Sequence, residues 1–240
     1  MSTVKYRLIN PKLQPRRTRL EIPGWAGEQQ PRADGSHEYA WHCVPFTEAA
    51  RAGIEVCYPY DNEARVTTRA GALVFEGDFG EPPSDGVQWP PFRTFGKQYY
   101  TYQLLADFKV GEGFAIKAET HPRFYTDATG TTPIAVPAML RHWWPMINFV
   151  VFKSPGEGQT HVFRPGEPFM QFVVVQADAK FDLVEMPEEE AAERELQSRR
   201  IHASRATLSG DTQWVSSTDT VFDGTYRRIL GAAKAAKIKK

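Results

Sequence analysis

The chain has 240 residues, of which 41% are hydrophobic and 24% are charged, and its 29 Lys and Arg residues balance its 29 Asp and Glu residues. This composition is that of an ordinary globular protein, which excludes a disordered chain, a collagen-like repeat and a coiled coil. The sequence contains no run of 18 apolar residues, so no membrane-spanning helix is predicted, and its two cysteines are too few for a disulfide scaffold.

The first predicted element is a strand from Val4 to Ile9, within an N-terminal arm of residues 1–35. The start of the chain has no apolar segment of the kind that directs secretion, so we expect a cytoplasmic protein. A helix of one or two turns is predicted next, at residues 48–52, because Thr47 can cap its start and Gly53 can end it.

Strand signals dominate residues 54–186, where Pro and Gly turns recur at intervals of about 8–12 residues. This rhythm predicts a mainly β domain over 36–186, a distorted barrel or sandwich that is β-clip-like, with a jelly roll or cupin as the alternative. The predicted strands are one at 54–58, a hairpin of 65–69 and 71–75, a long aromatic strand at 97–109, and strands at 114–119, 146–153, 160–163, 169–176 and 181–185.

Helices are predicted in a C-terminal extension, residues 187–240. Pro187 can open a helix that runs to about Ser204, whose few apolar positions indicate a solvated surface. Residues 209–220 are typical of a linker, and a short basic helix is predicted over 221–236. One face of that helix is apolar and would form a homo-oligomer contact or pack on the chain itself.

Charge is distributed unevenly along the neutral chain. Residues 1–35 carry a net charge of +4 and residues 225–240 one of +6, which leaves −10 for residues 36–224. An acidic body with basic ends is not the footprint of a nucleic-acid-binding protein, which needs basic residues gathered on one folded face. We therefore expect no nucleic-acid partner and no membrane partner.

The hairpin Gly166-Glu167-Pro168-Phe169-Met170-Gln171 resembles one in a family of uncharacterised bacterial proteins. That family has similar units upstream of the hairpin, and here their places are taken by Cys43-Val44-Pro45, Glu119-Thr120 and Trp143-Trp144-Pro145. The 22 residues between Thr120 and Trp143 are a departure from the family's pattern. The resemblance spans residues 38–186 and implies a bacterial protein but no particular activity. With Asn148 on the preceding strand, the hairpin is also similar to the closing strands of the dUTPase and dCTP deaminase β-clip fold. That likeness implies the fold, while the acidic catalytic motif of those enzymes has no match here.

The segment from Glu119 to Pro145 is the strongest candidate for a functional site. It is long for a connection in a compact β domain, and such loops are often binding loops. It combines aromatic, Arg and His side chains, which can wall an amphipathic pocket. The predicted substrate-binding residues are Arg123, Tyr125, Arg141, His142, Trp143 and Trp144. The adjacent Trp143 and Trp144 are expected to point to opposite faces, one into the core and one outward.

A metal site is the alternative use of this segment. His121, His142 and His161 could converge through the fold on one ion, with Glu119 nearby, although the His-x-His motif of cupins is missing. Three functional hypotheses follow: a small-molecule-binding or accessory protein, a mononuclear metal enzyme, and an oligomeric structural or interaction protein. The sequence identifies no catalytic residue and no cofactor, and it leaves open whether the protein is an enzyme.

Overall fold

The computed structural model describes residues 3–19, 48–126, 129–205, 214–215 and 221–222. The chain divides into two compact units. The first comprises Met1–Leu20 and Ala50–Ala179 and contains thirteen of the described strands. The second comprises Glu21–Ala49 and Lys180–Lys240 and contains a long helix and a two-stranded sheet. No helix within the described ranges is long and apolar enough to cross a membrane.

All strand pairings in the first unit are antiparallel. Its strands are β1 Lys5–Leu8, β2 Arg16–Arg17, β3 Ile54–Cys57, β4 Ala64–Arg69, β5 Ala72–Glu76, β6 Phe92–Phe95, β7 Tyr99–Gln103, β8 Ala106–Lys109, β9 Phe114–Thr120, β10 Ala138–Arg141, β11 Phe149–Lys153, β12 Thr160–Phe163 and β13 Pro168–Gln176. They form a five-stranded sheet in the order β10-β9-β13-β3-β2, two three-stranded sheets in the orders β11-β7-β6 and β12-β4-β5, and the pair β1-β8.

The mainly β class predicted from the sequence is confirmed. Over the described ranges the strands form separate sheets and not one closed barrel. The inner faces of the sheets meet in an aromatic core. The ring of Phe92 on β6 lies 5.1 Å from that of Phe163 on β12, and the ring of Phe108 on β8 lies 5.2 Å from that of Phe172 on β13. Side chains two apart on a strand share a face, which is why Tyr100 and Tyr102 are both fully buried.

The long strand predicted at 97–109 is wrong, because the chain breaks it into β7 and β8. Leu105, at the break, has a φ of 55°, and its carbonyl accepts hydrogen bonds from Ile9 N–H at 2.9 Å and Asn10 N–H at 3.3 Å. The kink allows one run of chain to serve two sheets, since β7 pairs with β6 and β11 whereas β8 pairs with β1. Leu104 and Leu105 are both fully buried, so burial offsets the backbone strain at this point.

Several shorter predictions are also resolved. The hairpin predicted at 65–75 is β4-β5, and its turn residues Ala70 and Gly71 both have positive φ, as a two-residue hairpin turn requires. Strands β1, β3, β9, β11, β12 and β13 lie at predicted positions, whereas β2, β6 and β10 were not predicted. No strand forms at 181–185, where Phe181 is 83% exposed and has no neighbouring strand.

In the second unit, α1 spans Glu188–Arg205 and confirms the first C-terminal helix. The helix predicted from Val221 is wrong at its start, because Val221–Phe222 form strand β15, which pairs with β14 at Trp214–Val215. Val, Phe and Trp side chains favour extended backbone, which suits this pairing. The rest of that helix, like Cys43 and Thr47, lies outside the described residues, and the division into 1–35, 36–186 and 187–240 stays a prediction.

A glycine pair tests the packing between the turn before β3 and strand β13. Gly53 has a φ of +79°, and a Cβ added there would lie 2.1 Å from the carbonyl oxygen of Phe172, whereas Gly71, with a φ of +74°, has open space around it. We expect Gly71→Ala to lower the free energy of unfolding by about 1–2 kcal/mol, the cost of the left-handed backbone alone. Gly53→Ala should lower it by about 3–4 kcal/mol, because the clash adds to that strain.

Urea denaturation of both variants beside the wild type measures the difference. Equal losses from the two substitutions would contradict the close approach of Gly53 to β13.

Candidate functional site

A cavity of about 700 Å³ lies within the segment that the sequence singles out. Its floor is the end of strand β9, which contributes Lys117, Glu119 and Thr120. Phe124, from the 3₁₀ helix Pro122–Thr126, forms one wall. The opposite wall is the chain from 130 to 137, which contributes Gly130, Thr132, Ile134, Ala135 and Pro137. The wall is therefore mostly apolar, with polar groups along the β9 side.

Hydrogen bonds on two sides hold the 130–137 wall in place. The N–H of Ala135 donates to the Thr120 hydroxyl at 2.9 Å, which fastens the wall to the end of β9. On its other side the N–H of Val136 donates to the Val151 carbonyl at 2.8 Å, and the N–H of Lys153 donates to the Ile134 carbonyl at 3.0 Å. The wall therefore runs as a short extra strand between β9 and β11.

One ion pair supplies the charge of the cavity. Lys117 and Glu119 are two residues apart on β9, so both side chains lie on the cavity face of the strand. The Lys117 Nζ is 2.6 Å from the Glu119 Oε2. Their side chains are 45% and 29% exposed, so the pair is partly desolvated at the cavity floor.

On the same face as Glu119, a polar row crosses the five-stranded sheet beside the cavity. The register aligns Arg16 with Glu55, Glu55 with Gln171, and Gln171 with Glu119, one residue from each of four neighbouring strands. Glu55 and Gln171 are each only 1% exposed. Gln171 is satisfied by the backbone, since its Nε2 donates to the Ala52 carbonyl at 2.6 Å.

The Glu55 carboxylate is the most heavily bonded group in this row. It accepts from Arg16 Nε at 2.5 Å, from His121 Nε2 at 3.2 Å and from the Arg19 N–H at 3.3 Å. Burial raises the pKa of Glu55, but these hydrogen bonds outweigh burial, so the pKa lies below its ordinary value of 4.5. Glu55 is therefore a buried carboxylate that stays ionised.

His121 is a structural partner of that carboxylate. Burial lowers the pKa of His121 below 6.5, although the neighbouring carboxylate opposes the shift. Its Nδ1 accepts the Arg123 N–H at 3.2 Å, so the ring proton of the neutral imidazole lies on Nε2 and is donated to Glu55. Both ring nitrogens are thus engaged, which leaves neither to bind a metal or to accept a substrate proton.

The other two predicted metal ligands have separate surroundings. His161 is buried, its Nδ1 lies 2.8 Å from the Tyr100 hydroxyl, and burial lowers its pKa to about 4. His142 is half-buried, just after β10. Within the described parts of the chain, no group of three or more His, Cys, Asp or Glu side chains could hold a metal ion. The structure therefore does not bring the three histidines together.

The predicted arginines are occupied by carboxylates. Arg123 Nη2 is 2.6 Å from Glu167 Oε2, and Arg141 Nη1 is 2.8 Å from Asp178 Oδ1. Tyr125 lies in the 3₁₀ helix, where the structure describes its backbone only. Neither arginine is among the described residues that line the cavity.

The prediction that one of the adjacent tryptophans packs into the core is wrong. Trp143 is 61% exposed and Trp144 is 40% exposed, and their rings lie 6.0 Å apart. The chain at 142–143 makes a turn, in which the Trp144 N–H donates to the Arg141 carbonyl. The alternation of side chains that holds for an extended strand therefore does not apply to this pair.

A smaller cavity of about 320 Å³ lies beside Cys57, which is half-buried. Burial raises the pKa of the Cys57 thiol above its ordinary value of 9.0. A thiol that stays protonated is a weak nucleophile, so Cys57 acts here as a small packing residue.

Comparison with known proteins adds little to this geometry. No family model matches the sequence, and no curated protein matches it. Among solved structures the chain is similar to a native dUTPase of EIAV, with 10% sequence identity over 73% of this chain and 98% of that chain and a TM-score of 0.33. The resemblance to uncharacterised bacterial proteins stays a prediction, and the site rests on the contacts of the chain itself.

The cavity is lined in part by the segment that the sequence singles out, but none of the predicted substrate-binding residues is among its described lining residues. Lys117, Thr120, Phe124 and Ile134 carry no motif, and their convergence depends on the register of β9 with its neighbours. One signal was available: Lys117 and Glu119 have the i, i+2 spacing that puts opposite charges on one face of a strand. The buried Glu55 sits in Ile54-Glu55-Val56, where alternation alone predicts an outward carboxylate.

We expect the free energy of unfolding to fall as the pH is lowered from neutral. The folded-state pKa values of His121 and His161 lie below 6.5 and that of Glu55 lies below 4.5, so the unfolded chain binds more protons in this range. The stabilisation from the histidines is complete above pH 6.5 and is lost on acidification, and that from Glu55 is lost below pH 4.5. Urea denaturation at stepped pH measures this.

The substitution Glu55→Gln tests how much the buried carboxylate contributes to the free energy of unfolding. It should lower the free energy of unfolding at neutral pH by about 2–3 kcal/mol, because the buried partners lose their charged acceptor. The matched control is Glu63→Gln, which removes a surface partner of Arg65 and should change it by less than about 1 kcal/mol. An unchanged stability of Glu55→Gln would contradict the role given to this carboxylate.

Proposed function

We propose that the protein binds a small molecule with a mainly apolar body in the cavity between β9, the 3₁₀ helix and the 130–137 wall. The observation that carries the proposal is the cavity itself, at about 700 Å³ with a mostly apolar lining. Sites for drug-sized ligands fall in the range of about 300–1,000 Å³ and combine apolar walls with a few placed polar groups.

Backbone hydrogen bonds hold the wall of the cavity in place. The 130–137 wall is hydrogen-bonded to Thr120 on one side and to β11 on the other, and Ala135 within it is only 5% exposed. A site held in its binding shape loses less conformational freedom on association, which favours affinity. At the rim, Ile134 is 56% exposed, an apolar side chain available to a ligand.

The ion pair on the floor restricts the charge of the ligand. The ionisable side chains among the described lining residues are Lys117 and Glu119, and they neutralise each other at 2.6 Å. A ligand with a single charge would have to separate them and leave one partner unpaired in a partly desolvated site. An uncharged or zwitterionic ligand leaves the pair intact, so we infer that the ligand carries no net charge.

The first test uses Nile red, an uncharged apolar fluorophore, with the whole chain. We expect saturable binding to one site and at least about a tenfold weaker affinity for Ile134→Asp, because the substitution puts a carboxylate beside the apolar body of the probe. The matched control is Met139→Asp: Met139 is 52% exposed on β10 and is not among the described lining residues. Equal effects of the two substitutions would overturn the assignment of the site.

The second test uses charge. Glu119→Gln frees Lys117, so the affinity for the anionic probe anilinonaphthalene sulfonate should rise by about three- to tenfold, as expected for one released charge near a protein surface. The affinity for Nile red should stay the same, since that probe has no charge for Lys117 to attract. A parallel change in the affinities for both probes would mean that the ion pair shapes the cavity and does not select the charge of the ligand.

A further inference from the structure

A second surface, independent of the cavity, lies on the outer face of the β6-β7-β11 sheet. Antiparallel register places Phe95 opposite Tyr99 and Tyr99 opposite Lys153, so these three side chains form one row on one face. Two residues along the strands, Arg93 lies on the same face, and Phe149 follows in the next row. The basic aromatic face is defined here by these five residues together with Lys97 in the β6-β7 turn.

The aromatic side chains of this face are exposed. Phe95 is 51% exposed, and Tyr99 and Phe149 are each 39% exposed. The opposite face of the same strands already supplies the buried rings Tyr100, Tyr102 and Phe152. The sheet is therefore aromatic on both sides, although only one side is needed for the core.

The charge on this face has one sign. Residues 92–103 and 149–153 contain Arg93, Lys97 and Lys153 and no acidic residue. All three basic side chains are exposed, and none forms an ion pair with another described residue. Elsewhere on the unit carboxylates neutralise basic side chains, as Glu76 does for Arg69. An unpaired basic patch within residues 36–224, which carry −10 overall, attracts an anionic partner.

Arg93 connects the positive charge of this face with its aromatic rings. Its guanidinium carbon lies 5.6 Å from the centre of the Phe149 ring. Thr101 lies opposite Arg93 in the register and is only 3% exposed, although it is on the outer face. The cation and the ring thus form a flat, positively charged surface of the kind on which planar groups stack.

We propose that the basic aromatic face binds single-stranded nucleic acid. Unpaired bases stack on exposed aromatic rings while Lys and Arg neutralise the phosphates, and this combination tolerates any sequence. The Phe95–Tyr99 row and Phe149 are four residues apart along β7, about 14 Å, which is far enough to stack separate bases of one strand. Base stacking also uses the rings, which a simple polyanion would leave unused.

A second copy of the chain fits this face less well. A two-fold contact would bring together two copies of one positively charged face, and like charges facing each other oppose association. The net charge of long stretches of sequence does not reveal this patch, because residues 36–224 carry a net charge of −10 in spite of these three positive side chains. Strand pairing brings them together.

The test is fluorescence anisotropy of a labelled single-stranded oligothymidylate of about 12 nucleotides, a length within the usual site size, titrated with the whole chain at low salt. We expect the double variant Phe95→Ser, Tyr99→Ser to bind at least about fivefold more weakly, the loss of one or two stacked bases. Phe181→Ser is the matched control, since Phe181 is 83% exposed in the other unit. It should bind like the wild type.

A salt series separates phosphate contacts from stacking. Lys153→Gln should reduce the slope of log affinity against log salt by about 0.7, the value for one phosphate contact on a single strand. Lys109→Gln, an exposed lysine on β8, should leave the slope unchanged. Thermal denaturation checks that each variant is folded, which its exposed position leads us to expect.

Two results would overturn the proposal. One is an affinity for polyacrylate, a polyanion without bases, equal to that for oligothymidylate, which would mean that the face binds any polyanion non-specifically. The other is unchanged oligothymidylate binding by the double aromatic variant together with a lower mass in sedimentation, which would make the face a contact between copies. Weaker binding of the variant at unchanged mass, with no binding of polyacrylate, supports it.

Discussion

The buried carboxylate of Glu55 ties together three parts of the first unit that are far apart in sequence. Arg16 brings in the N-terminal segment, the strand that carries Glu55 belongs to the five-stranded sheet, and His121 stands at the start of the 3₁₀ helix. Through its other nitrogen His121 receives the Arg123 N–H and so sets the direction in which that helix leaves β9. The position of the Phe124 wall therefore depends on a carboxylate that is not among the described residues lining the cavity.

The two proposed binding surfaces lie on either side of one short stretch of chain. Residues 134–136 wall the cavity and also hydrogen-bond to β11, whose first and last residues belong to the basic aromatic face. Two backbone hydrogen bonds therefore connect the cavity wall directly to the sheet that carries the basic aromatic face. What differs between the surfaces is charge: the cavity holds a neutralised pair, whereas the face holds three unneutralised cations.

Local pattern in the sequence was sufficient for most of the strands and insufficient for the contacts between them. The apolar runs of β11 and β13 and the turn of the β4-β5 hairpin are visible because each depends on adjacent residues. The break at Leu105 is not, because an unbroken run of aromatic and aliphatic residues looks the same whether or not it changes sheet. The hydrogen bond of His121 to Glu55 was also not predicted, because the two residues are 66 positions apart. Without that partner in view, the sequence favoured a metal-ligand role for His121. The exposure of Trp143 and Trp144 was missed because extended alternation was assumed where the chain turns.

The pairing of β1 with β8 has a consequence for the order in which the chain acquires structure. Lys5 lies opposite Lys109, so the N-terminal strand finds its partner only after about a hundred later residues have been synthesised. Closing so long a loop is entropically costly until the sheets between its ends have formed and shortened it. Nearby hairpins such as β4-β5 and β6-β7 can assemble as they emerge, whereas β1 has to wait. During synthesis β1 is therefore among the last strands of the first unit to be placed, and the hydrogen bonds from the Ile9 and Asn10 N–H groups to the Leu105 carbonyl form late.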